Sequence, residues 1–400
     1  MLQFWQEGVS AWYDEDYLTA MSVWQAGLDN IVEPIQLPWQ SGSSKDNCPK
    51  NETNQDVSDN VAVLAPLYLF LAGCYLDAQD FDMAEKSCRQ GLNAILRNSN
   101  PHECNADTKE TAIRLVQEIM SCWEENPAVT AHCQQARFLL EWLNQEYPAI
   151  VGAYWPDPWQ RPAFVYPNLP SQAVCPRQHH PAWCAILEKE FSWIQQECQA
   201  YFSHNAWRNL PQVGQGDHRQ GAGAHDGSVV NTGTGDWREA VLFGAGESPH
   251  VAPQTRQWLQ THCPDTVVSL ARQGGGEVIV SVLAPHTRIA PHCASTNLRW
   301  TAHLGLRVPT TTSTMEGGRG VKIRIADQWL SWEEGRILVF DDSYEHEVVN
   351  DSDEIRVVLL LRFWNPHLTL AERRKALPMA LQWKEQEQER RFHPPTPPVS

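Results

Sequence analysis

The sequence predicts an α+β protein of more than one domain, an α-helical N-terminal region followed by a β-sandwich of the jelly-roll type. Three observations predict it. Residues 1–150 carry apolar positions at helical spacing, as in 108–146, where Ile113, Val116, Ile119 and Met120 share one face. From Asp236 to Asn365 the pattern changes to eight short β-type runs with turn signals between them, a succession that suggests two packed antiparallel sheets. A chain of 400 residues that is 42% hydrophobic and 20% charged has the composition of a packed globular protein and is too long for one ordinary domain.

Within residues 1–150 two stretches share a spacing. Gly8, Tyr17, Ala20, Trp24 and Gly27 are matched, 64 residues on, by Ala72, Phe81, Ala84, Cys88 and Gly91. Small residues let paired helices approach closely, and the aromatics fill the gap between them. This is similar to the tetratricopeptide pattern, whose normal repeat is about 34 residues. The polar segment Gln40–Asn60 then reads as an insertion, and a generic helical bundle remains the alternative. Residues 108–146 read as two more helices.

Residues 151–235 form a connector. It opens with a Pro-, Trp- and Tyr-rich stretch and continues as an amphipathic helix over 182–203, with Ile186, Leu187, Phe191, Ile194 and Cys198 on its buried side. Residues 205–235 have the composition of a flexible loop, with His218 and His225 in solvent. The β-region spans 236–370, in the runs WREAVLF, EVIVSVL, RWTAHLGLRV, GVKIRIA, QWLSW, GRILVF, EHEVVN and IRVVLLLRFW. Residues 371–400 read as a charged helix and a Pro-rich tail.

A net charge of −17 argues against nucleic acid or an anionic membrane as partner, because both need a positive surface. The 11 cysteines are odd in number and form no CxxC pair, which argues against a zinc ribbon or a thioredoxin site. Asn51-Glu52-Thr53 is a glycosylation sequon of a kind that often arises by chance. The N-terminus has no basic segment before an apolar run, so no signal peptide is expected, and no window is long and apolar enough for a membrane span.

Four polar residues stand out in the strands, Ser281, His303, His346 and Arg356, and His292 follows Pro291 after a turn. Arg356 is the most informative. Its strand has Ile355, Val357, Leu359, Leu361 and Phe363 on one face and Arg356, Val358, Leu360, Arg362 and Trp364 on the other, so it is buried on both sides. A buried guanidinium needs an anion, and this strand offers no acidic residue. A ligand carboxylate, gripped by two parallel hydrogen bonds, would serve. The histidines suit non-haem iron, which uses neutral imidazoles and, usually, one carboxylate. That carboxylate normally lies two residues after the first histidine, where this chain has Ala294. Taken singly, each histidine reads as a turn or sheet residue. Asp341-Asp342-Ser343 reads as a turn from which Asp342 orients His346, and Trp332 to Gly335 as a structural hairpin.

The segments from Pro291 to Pro309, Trp332 to Val348 and Phe363 to Thr369 together resemble the catalytic domain of the aspartyl/asparaginyl β-hydroxylases, with weaker similarity back to Phe164. The resemblance implies a double-stranded β-helix (a jelly roll of the cupin kind) that uses Fe(II), 2-oxoglutarate and dioxygen (O2). It implies that His292 and His346 hold iron without a carboxylate, in agreement with Ala294. It implies that Ser281 and Arg356 bind the distal carboxylate of 2-oxoglutarate, and His303 the carboxylate nearer the metal. The implied partner is a polypeptide, hydroxylated at the β-carbon of Asp or Asn. Animal members carry tetratricopeptide-like repeats and lie in the endoplasmic reticulum. The chain departs from the family at Thr301, where a second arginine is usual, and at Cys263, which has no mate for a loop disulfide ahead of the Ser281 strand. Thr301 leaves open a lipid acyl chain or small molecule as substrate. A helical-repeat interaction protein without activity is the remaining alternative.

Overall fold

The computed structural model describes residues 3–29, 31–32, 64–98, 105–126, 132–152, 154–213, 235–309 and 320–395. The expected insertion Gln40–Asn60, the sequon at Asn51, both loop histidines His218 and His225, and the last residues of the tail lie outside them. The chain divides into two compact units, Met1–Pro158 with Gln382–Ser400, and Trp159–Leu381. No described helix is long and apolar enough to cross a membrane.

The first unit is built of helix pairs: α1 (Gln3–Tyr13) with α2 (Tyr17–Asp29), α3 (Ala65–Asp77) with α4 (Phe81–Asn98), and α5 (Ala106–Glu125) followed by α6 (His132–Glu146). Small residues sit where paired helices meet. A Cβ added at Gly8 would lie 2.1 Å from Trp24 Nε1, and one at Gly27 would lie 2.3 Å from the Phe4 ring. Overfilling such a contact costs about 1–3 kcal/mol. Trp24 is fully buried and donates its indole N–H to the Trp5 carbonyl at 3.1 Å. In the second pair Ala84 and Cys88 are fully buried, and Gly91 approaches Tyr68. The Arg114 guanidinium lies 4.0 Å from the centre of the Trp383 ring, which draws the end of the C-terminal helix into this unit.

The second unit holds two antiparallel sheets. The larger contains β1 (Trp237–Phe243), β2 (Val278–Leu283), β4 (Arg299–Arg307), β7 (Ile337–Phe340) and β9 (Arg356–Trp364), in the order β1-β2-β9-β4-β7. The smaller contains β3 (Thr287–His292), β5 (Val321–Ile325), β6 (Gln328–Leu330) and β8 (His346–Asn350), in the order β3-β8-β5-β6. All the pairings are antiparallel and, apart from the β5–β6 hairpin, join strands distant in sequence, as in a jelly roll. The outer face of the large sheet packs on α7 (Ala182–Lys189), α8 (Phe191–Cys198) and α9 (Pro253–His262), and its inner face packs on the small sheet. Strand β9 contributes Val357, Leu359, Leu361 and Phe363 to the outer core and Val358 and Leu360 to the inner one. Burial on both faces is what the sequence predicts for it.

Four expectations need correction. The helix expected over 182–203 is two helices broken at Glu190 and followed by 3₁₀ turns. Its buried stripe is Trp183, Leu187, Ile194 and Cys198, one step round from Ile186, which is 42% exposed. The loop expected from residue 205 is ordered to Val213, because Trp207 and Val213 are buried and Arg238 Nη1 donates to the carbonyls of Arg208 and Leu210. Residues 253–272, unassigned by pattern, form α9 and, after an irregular turn, the short α10 (Ser269–Arg272). Finally, His292 does not follow a turn. It ends β3, a strand that the eight runs miss because Pro291 and two basic residues mask its alternation. The charged C-terminal stretch is α11 (Leu370–Phe392).

Candidate active site

Each sheet supplies a different half of one pocket, and the five candidate residues Ser281, His292, His303, His346 and Arg356 all line it. The small sheet brings the two histidines together. His292 on β3 and His346 on β8 are cross-strand partners, with ring centroids 4.2 Å apart. The register shifts between Ile289 and His292, so that β3 uses one more residue than β8 over the same span. Ile289 faces the inner core, and strict alternation would turn His292 the opposite way. The bulge resets the alternation and turns His292 into the pocket.

The backbone decides which ring nitrogen is offered. His292 Nδ1 lies 2.8 Å from the Ala290 carbonyl, and His346 Nδ1 lies 2.8 Å from the Tyr344 carbonyl. A carbonyl only accepts, so each Nδ1 carries a proton and each Nε2 is the nitrogen left free of the backbone. Burial, and His292 beside it, push His346 down to about 3, which keeps that ring neutral. Two imidazoles a ring-width apart, each held by its other nitrogen, are a fitting donor set for a divalent transition metal. Ala294, 2% exposed, lines the same wall and offers no donor.

The large sheet supplies hydrogen-bond donors. Arg356 is 2% exposed, has no ion-pair partner among the described residues, and burial pushes its guanidinium down to about 9. Its Nη1 reaches Ser281 Oγ at 3.4 Å, and its Nε has no hydrogen-bond partner. Ser281 Oγ also accepts the Trp237 indole N–H at 2.9 Å, so its own proton is available for a further acceptor. The guanidinium lies 5.0 Å from the centre of the Trp332 ring, a cation–π contact that holds it without neutralising it.

His303 carries the opposite tautomer. Trp332 Nε1, which can only donate, lies 3.2 Å from His303 Nδ1. The proton of His303 is therefore on Nε2, a buried atom without a partner. Burial and the neighbouring Arg356 hold His303 well below the usual histidine range, so the ring is neutral. Ser281, Arg356 and His303 thus present donors that no acceptor among the described residues uses. Buried groups of this kind normally have partners, and a dicarboxylate would satisfy them all.

Trp332 was expected to be a hairpin residue only. It lies outside the strands, and no local signal relates it to a histidine 29 positions earlier. The sequence likewise marks Trp237 only as the start of a strand. Replacing Trp332 by Phe keeps the ring and removes the donor. The expected result is mixed His303 tautomers in nitrogen-15 spectra and, from the loss of one ordered donor, roughly tenfold weaker dicarboxylate binding. An unchanged tautomer would show that the indole does not set it.

Acidic residues near the pocket are matched by arginines. Glu345, beside His346, points away from it and is fully buried between Arg161 at 2.6 Å and Arg324 at 2.7 Å. Burial alone would raise its pKa, but the two guanidinium groups outweigh this and hold it at about 2. Asp342 lines the pocket, with Arg362 at 3.2 Å and Arg299 at 3.6 Å. Asp341 and Ser343 do form the expected turn: Asp341 Oδ1 accepts the Ser343 backbone N–H at 3.0 Å. Cys263, at the end of α9, is a buried free thiol.

Comparison with known proteins places this architecture. Residues 188–366 match the family described as aspartyl/asparaginyl beta-hydroxylase. The mouse protein of that name is 35% identical over 144 residues, which cover 35% of this chain and 18% of the mouse protein. Aspartate beta-hydroxylase domain-containing protein 2 of Xenopus tropicalis is 28% identical over 225 residues, 54% of this chain and 53% of its own length. Ornithine lipid ester-linked acyl 2-hydroxylase of Rhizobium tropici is 29% identical over 185 residues, 46% of this chain and 58% of its own length. The matches thus span less than two thirds of each of these relatives.

Proposed function

We propose, from the match of residues 188–366 to the aspartyl/asparaginyl β-hydroxylase family, that the protein is an Fe(II)- and 2-oxoglutarate-dependent dioxygenase that hydroxylates the β-carbon of Asp or Asn side chains in a polypeptide. The observation that carries the reading is the buried Arg356, with no acidic partner among the described residues, in the same pocket as two imidazoles whose Nδ1 atoms are held by backbone carbonyls.

In this reading His292 and His346 hold the iron through Nε2. Arg356 and the Ser281 hydroxyl take the distal carboxylate of 2-oxoglutarate, and His303 Nε2–H donates to the carboxylate nearer the metal. When bound, the iron and the cosubstrate supply the oxidising chemistry, in which one oxygen atom of O2 enters the substrate C–H bond and the other enters succinate as carbon dioxide is lost. The protein's contribution is orientation and dryness. Trp237, Phe340 and Ile289 wall the pocket with apolar surface, and the donors are in place before any ligand arrives.

A second reading keeps the chemistry and changes the substrate to a lipid acyl chain. It is favoured by the uncharged Thr301 in the pocket and by the similarity to the Rhizobium tropici acyl hydroxylase. The test is succinate formation from 2-oxoglutarate with Fe(II), O2 and a panel of peptides and lipids, with products weighed by mass spectrometry. One oxygen atom gained on Asp or Asn is the expected result. The same gain on an acyl chain transfers the assignment to lipid. No turnover of 2-oxoglutarate across the panel would leave a helical-repeat interaction protein as the better description.

A further inference from the structure

Strands β4 and β9 pair so that Thr301 stands directly opposite Arg362, and both line the pocket. Residues opposed in this way have Cβ atoms about 4.5–5.5 Å apart, within easy reach of an arginine side chain. A guanidinium from position 362 therefore serves the same part of the pocket as a side chain from position 301. Thr301 is small, 2% exposed, and its hydroxyl has no hydrogen-bond partner among the described residues.

Arg362 is held from behind. Its Nη1 lies 3.0 Å from Glu277 Oε1, and its backbone N–H donates to the Glu277 carbonyl at 2.9 Å. Its Nε lies 3.2 Å from Asp342 Oδ2. A Cβ at Gly276 would come within 3.0 Å of Arg362 Cβ, so the chain leading into β2 passes this close because it has no side chain there. The five N–H donors of a guanidinium can serve more than one acceptor at once.

We propose that Arg362 is the specificity-determining residue of this pocket, supplying from β9 the guanidinium that Thr301 does not, and that it selects a substrate side chain bearing a carboxylate over one bearing a carboxamide. The inference rests on the dioxygenase reading. Charge supports it. Arg299 and Arg362 are matched by Asp342 and Glu277, so this cluster is neutral. Two neutral imidazoles, a divalent iron, the dianion of 2-oxoglutarate and Arg356 leave one positive charge over, because Ala294 supplies no carboxylate. Unbalanced charge is costly in a buried site. A substrate carboxylate beside Arg362 and the Thr301 hydroxyl removes the imbalance, and a carboxamide does not.

The test is binding, without turnover. Protein loaded with Mn(II) and 2-oxoglutarate, in the absence of O2, is offered peptides with degenerate flanks around a central Asp or Asn, and retained peptides are counted by mass spectrometry. Wild type is expected to retain Asp over Asn by about tenfold, the ratio that about 1.4 kcal/mol provides. Arg362→Gln should bring the ratio close to one while 2-oxoglutarate affinity, measured by calorimetry, stays within a factor of two. Because that variant leaves Glu277 facing a neutral group, Glu277→Gln/Arg362→Gln is made beside it and should lose the preference equally. Thr301→Arg/Arg362→Gln should restore it. A preference for Asp that survives loss of Arg362 overturns the inference, as does wild type that binds 2-oxoglutarate and does not favour Asp. Wild type that fails to bind 2-oxoglutarate overturns the dioxygenase reading itself, and this inference with it.

Discussion

Replacing Arg356 by Met is expected to weaken 2-oxoglutarate binding at least about thirtyfold and, at the same time, to leave the protein as stable as wild type or more so. The two effects share one cause. The guanidinium is 2% exposed with no acidic partner among the described residues, and burial pushes its pKa down to about 9. It is therefore still charged near neutral pH, and the cost of keeping it dry is fully present. Exchanging buried charges for apolar side chains of similar volume is neutral or stabilising by about 1–4 kcal/mol. Loss of one partner of a buried ion pair costs about 2–5 kcal/mol of binding, roughly thirty- to several-thousand-fold in affinity. Thermal unfolding without ligand and calorimetry with 2-oxoglutarate and Mn(II) measure the two effects. A variant that unfolds far below wild type would mean that the guanidinium is part of the core. Unchanged affinity would mean that the dicarboxylate binds elsewhere.

The second large effect is expected at the histidine pair. His346→Ala should lose a divalent metal by about a hundredfold or more, beyond the ten- to hundredfold typical of losing an outer partner of a ligand. No carboxylate stands at Ala294 to keep the metal when one of the imidazoles is gone. The absorption of Co(II) bound to the protein reports retention, and succinate formation should fall to background. Stability should change by less than about 2 kcal/mol, because the ring borders an existing cavity. His303→Ala is the contrasting variant. It should keep Co(II) and lose affinity for 2-oxoglutarate, because His303 Nδ1 is taken by Trp332 and its Nε2 is a donor. If His346→Ala keeps Co(II) as wild type does, the pair is not the metal site.

Much of the pocket is legible in the chain. The apolar faces of β9, the arginine among them and the missing acid are local facts, read from alternation with a period of two. Residue chemistry along a strand is visible wherever the strand is regular. It fails where regularity does. Strand β3 was missed because Pro291 interrupts its pattern. The periodicity over 182–203 finds helix but shows neither the break at Glu190 nor the exposure of Ile186. The role of Trp332 lies in its contact with His303, 29 positions away, and not in its sequence neighbours.

The sequence by itself determined the two classes of secondary structure, the doubly buried strand and the identity of the five candidate residues, because these depend on residue type and on periodicity within one element. Only the tertiary structure decided which way those residues work. A bulge of one residue turns His292 into the pocket. Two backbone carbonyls and one indole set three histidine tautomers, two offering lone pairs and one offering a proton. The ladder between β4 and β9 stands Arg362 opposite Thr301. Each of these depends on strand register, where a slip of one residue sends every side chain to the other face. Register is settled by strand pairings between residues far apart in the chain, which no stretch of the sequence contains.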